Sequence, residues 1–341
     1  MTPARTIPFI VATIFMDAIG FGIIMPVLPQ LVMEVGEIDL PHAIEVGAWI
    51  GLVMAVATFL ASPVLGNLSD RFGRRRVLLL ALGGFLGEIS PRAPFVAAAI
   101  LAAANMLYGL FIFPETLPPE RRRAFDWRRA NPLGAWKTMR ALPGMDGVAG
   151  VLVLWQIASL VYPMTWSFYC IAQLGWTPGM IGASLAAVGV MIALGQVFIV
   201  GPAVARFGER DAATLGILVA VAVYIGYAFT TSTIGAFLLL IPVALQAPVQ
   251  PSLMAMMSRR ATAETQGEVQ GISAMAMGLG QLVAPLLLTG TMAYFTADRA
   301  PVHFPGAAFI VAAIFGLLAI AMLRRLPRTQ PVDQMPPSVT A

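Results

Sequence analysis

The sequence predicts an all-α polytopic membrane protein of about ten spanning helices in two pseudo-repeated bundles, and three observations carry that reading. Apolar residues make up 58% of the 341 residues and charged ones only 11%, against about 25% charged in ordinary globular domains. Runs of about 20 apolar residues, the length that crosses a bilayer, recur along the whole chain. A glycine-arginine pattern also returns once, Gly66-x4-Arg71-Phe72-Gly73-x-Arg75 as Gly201-x4-Arg206-Phe207-Gly208-x-Arg210, at an offset of 135 residues. Such an echo marks two related halves.

Nine spans are read at 7–33, 46–67, 94–113, 147–171, 179–204, 212–231, 234–257, 269–296 and 305–323. The first follows Arg5 as a signal peptide would, but it is too long, contains Asp17 and lacks a small-residue cleavage site, so it reads as an uncleaved helix. A tenth segment at 77–87 has only 11 residues, about 16 Å of helix against a ~30 Å hydrocarbon core. The arginines on either side require it to cross. With ten crossings and both termini cytoplasmic, 19 of the 21 basic residues fall inside, leaving only Arg92 and Arg299 outside, as the positive-inside rule asks. The first outer loop is acidic through Glu34, Glu37, Asp39 and Glu45. The predicted domains are an incomplete N-terminal bundle at 1–113 with four spans, a cytoplasmic central loop at 114–146, a C-terminal bundle at 147–323 with six spans, and a disordered proline-rich tail at 324–341.

A second echo, Arg92-Ala93-Pro94 and Arg299-Ala300-Pro301, has an offset of 207 residues, 72 more than the first. The two halves differ in length by nearly the same amount, 107 residues at 7–113 against 177 at 147–323. About two helices with their loops are therefore missing from the middle of the first half, and 77–87 is a short hybrid at the junction. Losing an even number of crossings preserves orientation.

The run Gly66-Asn67-Leu68-Ser69-Asp70-Arg71-Phe72-Gly73-Arg74-Arg75 lies between two apolar segments. Its order G-x-x-x-D-R-x-G-R-R resembles the loop between the second and third helices of the major facilitator superfamily, a family of secondary transporters. Within that superfamily the chain resembles the tetracycline-resistance branch of drug:proton antiporters. That likeness rests on Asp17-Ala18-Ile19-Gly20-Phe21-Gly22-Ile23-Ile24-Met25-Pro26-Val27-Leu28-Pro29, on Ser62-Pro63-Val64-Leu65-Gly66-Asn67-Leu68-Ser69-Asp70, and on Gln266-Gly267-Glu268-Val269-Gln270-Gly271. The resemblance implies a major facilitator fold, drug efflux by proton antiport, and a gating loop of Gly66, Asp70, Arg71, Gly73, Arg74 and Arg75. On that reading Asp70 sits against the positive end of a helix in the opposite half; a charged loop that only keeps its side of the membrane would look the same. Departures are also plain. The fifth-helix antiporter motif is reduced to Gly83-Gly84 and Gly87, the acid of the third helix and the arginine of the fourth have no counterpart, and 212–231 holds no acid. Transport is accordingly expected to be impaired; a major facilitator permease for another small molecule, or a non-transporting remnant, are the alternatives.

Asp17 is the one ionisable group well inside a span, which makes it the candidate for proton coupling. A helix-packing acid satisfied by a neighbour is the other reading. Trp155, Tyr162, Trp166 and Tyr169 share one helical face with Gln156 nearby. Aromatic walls suit flat, partly apolar molecules, and an interfacial belt has the same composition. Gln246 and Gln250 are one turn apart in a run broken by Pro248 and Pro251, and irregular backbone at membrane depth is tolerated where it lines a cavity. Gln196 and Gln281 are candidates of the same kind.

The basic residues are spread over loops rather than gathered on one face, so nucleic acid is not an expected partner despite a pI near 9.6. Cys170 is the single cysteine and sits in an apolar run, and the two histidines fall in loops, so neither a disulfide nor a metal site is expected. An intramembrane hydrolase would need paired aspartates, a serine-histidine pair or a zinc site, none of which the spans supply. The expected partners are the lipid bilayer, a small amphipathic drug-like substrate and protons, with no cofactor, in a monomer of a bacterial-type inner membrane.

Overall fold

The computed structural model describes residues 25–72, 100, 103, 144–261, 266–298 and 300–327, and among these every regular element is helical. The expectations placed on Asp17, Gly73, Arg74, Arg75, the segment 77–87, nearly all of 94–113, most of the central loop and most of the tail lie outside the described residues. The elements are α1 (Leu28–Gly36), α2 (Leu40–Phe72), α3 (Met145–Ser159), α4 (Val161–Leu174), α5 (Pro178–Leu194), α6 (Val200–Phe229), α7 (Thr233–Leu240), α8 (Val249–Ser258), α9 (Gln266–Ala284), α10 (Gly290–Thr296) and α11 (Ala307–Arg325). Short irregular turns connect three of these pairs without a loop: a π-turn at Gly195–Ile199 joins α5 to α6, a 3₁₀ turn at Ile241–Gln246 joins α7 to α8, and a second π-turn at Pro285–Thr289 joins α9 to α10.

Among the described residues, six helical runs are long and apolar enough to cross a bilayer: Leu40–Thr58, Met145–Leu174, Pro178–Phe229, Thr233–Ser258, Val269–Thr296 and Ala307–Arg325. The third has 52 residues, about 78 Å of helix if it were straight. It is not straight. Gly208 has φ 75° and ψ 165°, a conformation open to glycine and strained for other residues, and it falls between the spans read at 179–204 and 212–231. The polar run Arg206 to Asp211 surrounds the break.

Two boundaries differ from the sequence reading. The span expected at 7–33 is interrupted, because residues 25–27 form a turn and α1 starts at Leu28 with Pro29 in its first turn, where a missing N–H costs nothing. Of the two histidines read as loop residues, His303 is in a loop, but His42 belongs to the first turn of α2, whose start is held by the His42 N–H donating to Asp39 Oδ1 at 3.1 Å.

The helices of the second half pack into one core. Tyr169, Tyr224, Tyr227 and Phe309 are all fully buried in it, while Phe198, Phe229, Ile234 and Leu238 stand exposed on its outside. A soluble protein rarely shows so much apolar surface; in a membrane protein that surface is the one that meets lipid. α2 runs beside α9 and α10, with Gly51 against Pro285 and Met164, which anchors the first half to the second.

Candidate functional site

Two of the irregular turns, Gly195–Ile199 and Ile241–Gln246, lie against each other, and the reasons lie in the sequence. Pro248 and Pro251 have no N–H to offer the carbonyls of Ala244 and Ala247, four residues earlier. The Ala244 carbonyl instead accepts from the Ala247 N–H at 3.3 Å, the tighter 3₁₀ pattern. Opposite it lies the π-turn of Gly195–Ile199. A Cβ on Gly195 would stand 2.8 Å from the Ala247 Cβ and closer still to the Ala244 carbonyl oxygen, so only glycine lets the two irregular turns touch.

Beside this contact is a cavity of about 300 Å³ between α3, α4, α5, α6 and α8, at the small end of ligand pockets. Trp155, Tyr162 and Trp166 form an aromatic wall, Leu185, Val188 and Ile192 of α5 an aliphatic one, and Gln196, Gln246 and Gln250 supply amides. No Asp, Glu, Lys, Arg or His is among its described lining residues.

The aromatic wall is fixed from behind. Trp166 donates from Nε1 to Ser184 Oγ at 2.9 Å, and that hydroxyl donates on to the Ile181 carbonyl at 2.7 Å. Its ring centroid is 5.0 Å from that of Tyr227 at an interplanar angle of 79°, the edge-to-face arrangement that aromatic quadrupoles favour. Tyr162 is ringed by Trp166, Tyr224, Tyr227 and Phe309 at centroid distances of 5.5 to 6.1 Å.

The polar groups are less settled. Tyr162 Oη, Tyr224 Oη and Gln246 Nε2 are buried and have no hydrogen-bond partner among protein atoms. The Tyr162 hydroxyl faces the Gln246 amide without completing a bond of normal geometry. Gln250 Nε2 reaches only the Met277 sulfur at 3.7 Å.

The structure thus brings together Tyr162, Trp166, Gln196, Gln246 and Gln250. It does not bring in Gln156, whose Cβ and Cγ lie where a Cβ of Gly280 would be. Neighbouring residues on a helix point ~100° apart, so Trp155 faces the cavity and Gln156 faces α9. Gln281, half-buried on α9, is also outside the lining. Tyr169 leaves the proposed face too, its hydroxyl donating to the Tyr227 carbonyl at 2.6 Å. Tyr224 was missed by sequence reasoning, although a phenol amid an apolar span is itself a signal. Gly66, Asp70 and Arg71 lie in the last two turns of α2.

A second, more polar hollow of about 430 Å³ opens between the start of α2 and the end of α10, with Asp39, Glu45 and Asp298 around Trp49 and Tyr294. His42 Nδ1 lies 2.5 Å from Asp39 Oδ1. That bond, with the His42 N–H, holds the Asp39 carboxyl below its ordinary pKa. On the other side of the molecule Arg259 Nε pairs with Glu209 at 2.8 Å, and Arg210 donates to the Arg324 carbonyl at the end of α11. The second copy of the repeated glycine-arginine pattern thereby ties α6 to α8 and α11.

The family model described as Major Facilitator Superfamily matches residues 10–87, 80–285 and 149–339. The chain is 30% identical to the class C tetracycline resistance protein of Escherichia coli over 389 aligned positions, covering 93% of this chain and 96% of that one. It is 27% identical to the class G protein of Vibrio anguillarum, over 91% and 95% of the two chains. Among solved structures, the human organic anion transporter MFSD10 (TETRAN) superposes with a TM-score of 0.70 at 18% identity, over 95% of this chain and 100% of that one. A nucleoside transporter, NupG, does so at 0.65 and 11%, over 93% and 99%. At such identities these two speak for the fold alone. The 389 positions aligned to the class C protein outnumber the 341 residues here by 48; with 93% of the chain taking part, about 317 residues, about 72 positions of that relative stand opposite no residue.

Proposed function

Because this chain belongs to the major facilitator superfamily, we propose that it is a membrane secondary transporter of the tetracycline-resistance type, exporting amphipathic drug-like molecules in exchange for protons. The observation that carries this reading is 30% identity along almost the full length of both chains, joined to a cavity walled by aromatic rings and amides at membrane depth. Aromatic faces stack on flat, partly apolar molecules while a few polar groups fix orientation. Asp17 is the proton carrier on this reading, since a carboxyl deep in a span can gain and lose charge as its access to water alternates. Asp70 and Arg71 with Gly73, Arg74 and Arg75 gate the inner side.

The bundle division at 113 and 147, the ten crossings and the two cytoplasmic ends belong to the same proposal. The roughly 72 unmatched positions equal the difference between the two repeat offsets, and the first two family-model matches meet at 80–87, which supports placing the missing helices there. Without that wall the site closes less well against lipid and export is slower than in the full-length relatives. A reporter fused after Arg92 is expected on the outer side; an inner-side signal would remove the short crossing at 77–87.

The test is drug resistance in bacterial cells. Cells producing the chain should accumulate less tetracycline than cells with empty vector, Asp17→Asn should abolish the difference at equal membrane levels, and a helix segment from the class C relative inserted between Leu82 and Gly83 should enlarge it. Equal accumulation with and without even the repaired chain would favour a permease for another molecule or a remnant.

A further inference from the structure

Arg260 lies in the turn that follows α8, and its guanidinium is only partly used by the protein. Nη1 donates to the Met256 carbonyl at 2.6 Å. Nε and Nη2 are buried and have no hydrogen-bond partner; together they make one edge of the planar group, the edge that can grip two oxygens at once. The other described side chains with an orphaned buried atom, Tyr162, Tyr224, Gln246 and Ser252, are neutral. A cation without its counter-charge is the costlier case. Glu209 does not supply that charge, because its carboxylate is taken by Arg259 Nε at 2.8 Å and reaches Arg260 through space alone, too weakly to offset the burial that pulls the guanidinium below its ordinary pKa. The free edge looks at Gly144. A Cβ on that glycine would stand 3.6 Å from Nε and 4.0 Å from Nη2, and apart from its chain neighbours no other described atom would meet it within 4 Å. The space a side chain would fill is open there.

We infer that Arg260 holds a phosphate group through Nε and Nη2, in the gap that Gly144 leaves open, and that this phosphate ties the start of α3 to the end of α8. Two phosphate oxygens match the two parallel N–H donors of the fork. Gly144 has φ 70° and precedes α3 with no side chain to cap it, so the first-turn N–H groups of α3, which have no partner within the helix, stand beside the same gap and favour an anion. Asp146, the acid of that turn, is exposed. The place in the fold names the ligand. Met145–Leu174 begins here while Thr233–Ser258 and Ala307–Arg325 end here, with Leu326 packed where a Cβ of Gly147 would go, so the gap lies at a boundary of the membrane. Lipid headgroup phosphates are the abundant anions at that level, and inorganic phosphate has the same chemistry. The inference does not depend on what the chain transports.

The purified full chain in dodecyl maltoside, a detergent with neither phosphate nor charge, tests this by native mass spectrometry and by the melting temperature. The probes are phosphatidylglycerol, monogalactosyl diacylglycerol as a lipid without phosphate, and sodium phosphate against sodium chloride of equal ionic strength. Phosphatidylglycerol should be retained and should raise the melting temperature, since a ligand of the folded state stabilises it, while the galactolipid should do neither. A rise with sodium phosphate but none with phosphatidylglycerol would keep the site and make free phosphate its ligand. Whichever probe binds, Arg260→Gln should weaken it roughly tenfold. Arg260→Lys, which keeps the charge but loses the fork, should weaken it about threefold, and it carries the comparison if Arg260→Gln fails to fold. Arg325→Gln, the same charge change at the exposed end of α11, should stay within twofold. An arginine needed only for the fold would lower the melting temperature of its variants and leave the rise added by the probe unchanged. That outcome overturns the site, as do equal losses in the Arg260 and Arg325 variants, or no phosphate probe binding better than its phosphate-free control.

Discussion

Two pairs of tyrosines sit within two helical turns of each other and meet opposite fates. Tyr169 of α4 and Tyr227 of α6 have ring centroids 6.4 Å apart, and each hydroxyl donates to a backbone carbonyl, Tyr227 O at 2.6 Å and Ala236 O at 3.1 Å. Tyr162 and Tyr224, the neighbouring pair on the same two helices, have rings 5.5 Å apart and hydroxyls with no protein partner. Burial of the rings alone does not separate the pairs, for Tyr224 is as fully buried as Tyr169 and Tyr227 while Tyr162 is half-buried. The hydroxyl does: one pair locks α4 to the end of α6 and the start of α7, and the other presents donors to a cavity.

Trp166 touches both pairs, so its loss should have the largest effect. Trp166→Ala removes a ring packed 6.1 Å from Tyr162, 5.9 Å from Tyr169 and 5.0 Å from Tyr227 and takes away the indole N–H that the Ser184 oxygen accepts. A cost of about 3–5 kcal/mol is expected, seen as loss of folded protein on size-exclusion chromatography in detergent. Gly195→Val comes next. Its side chain would collide with Ala244 and Ala247 and force the two irregular turns apart, for about 1–3 kcal/mol, seen as a lower melting temperature in detergent.

The sharpest contrast is between Tyr227→Phe and Tyr224→Phe. The first leaves the Ala236 carbonyl without its donor and should lower stability by about 1 kcal/mol, while the second should cost nothing; equal melting temperatures would erase the distinction between the pairs. The smallest effect lies at the outer hollow. The Asp39 pKa is held down by His42, so its contribution is present above the ordinary carboxylate value of about 3.9 and fades as pH falls through the lower folded value. Asp39→Asn should therefore melt slightly lower at neutral pH and converge with the wild type in acid, as a melting series across pH would record.

Much of this was legible beforehand. Apolar length located the spans of the second half, because a bilayer imposes one length on every crossing. Pro248 and Pro251 announced the irregular backbone, and Gln246 and Gln250 the amides beside it. The face of Trp155, Tyr162 and Trp166 followed from helical spacing, but spacing could not tell that Tyr169 on the same face would find the Tyr227 carbonyl. That bond depends on how α4 and α6 pack, which no local pattern contains. Gln156, expected near that face as a polar handle, turns to α9 for the same reason, since its neighbour Gly280 is 124 residues away. Tyr224 lay in a run with no acid and no break, and only the meeting of three segments makes it part of a site.

The central claim, that this chain is a proton-coupled drug exporter, is tested most directly in inverted membrane vesicles loaded with the full chain and given an imposed pH gradient, acid inside. The account predicts tetracycline accumulation that collapses when nigericin dissipates the gradient and is absent with Asp17→Asn. Accumulation of the same size with and without the gradient, or none above vesicles lacking the chain, would contradict it.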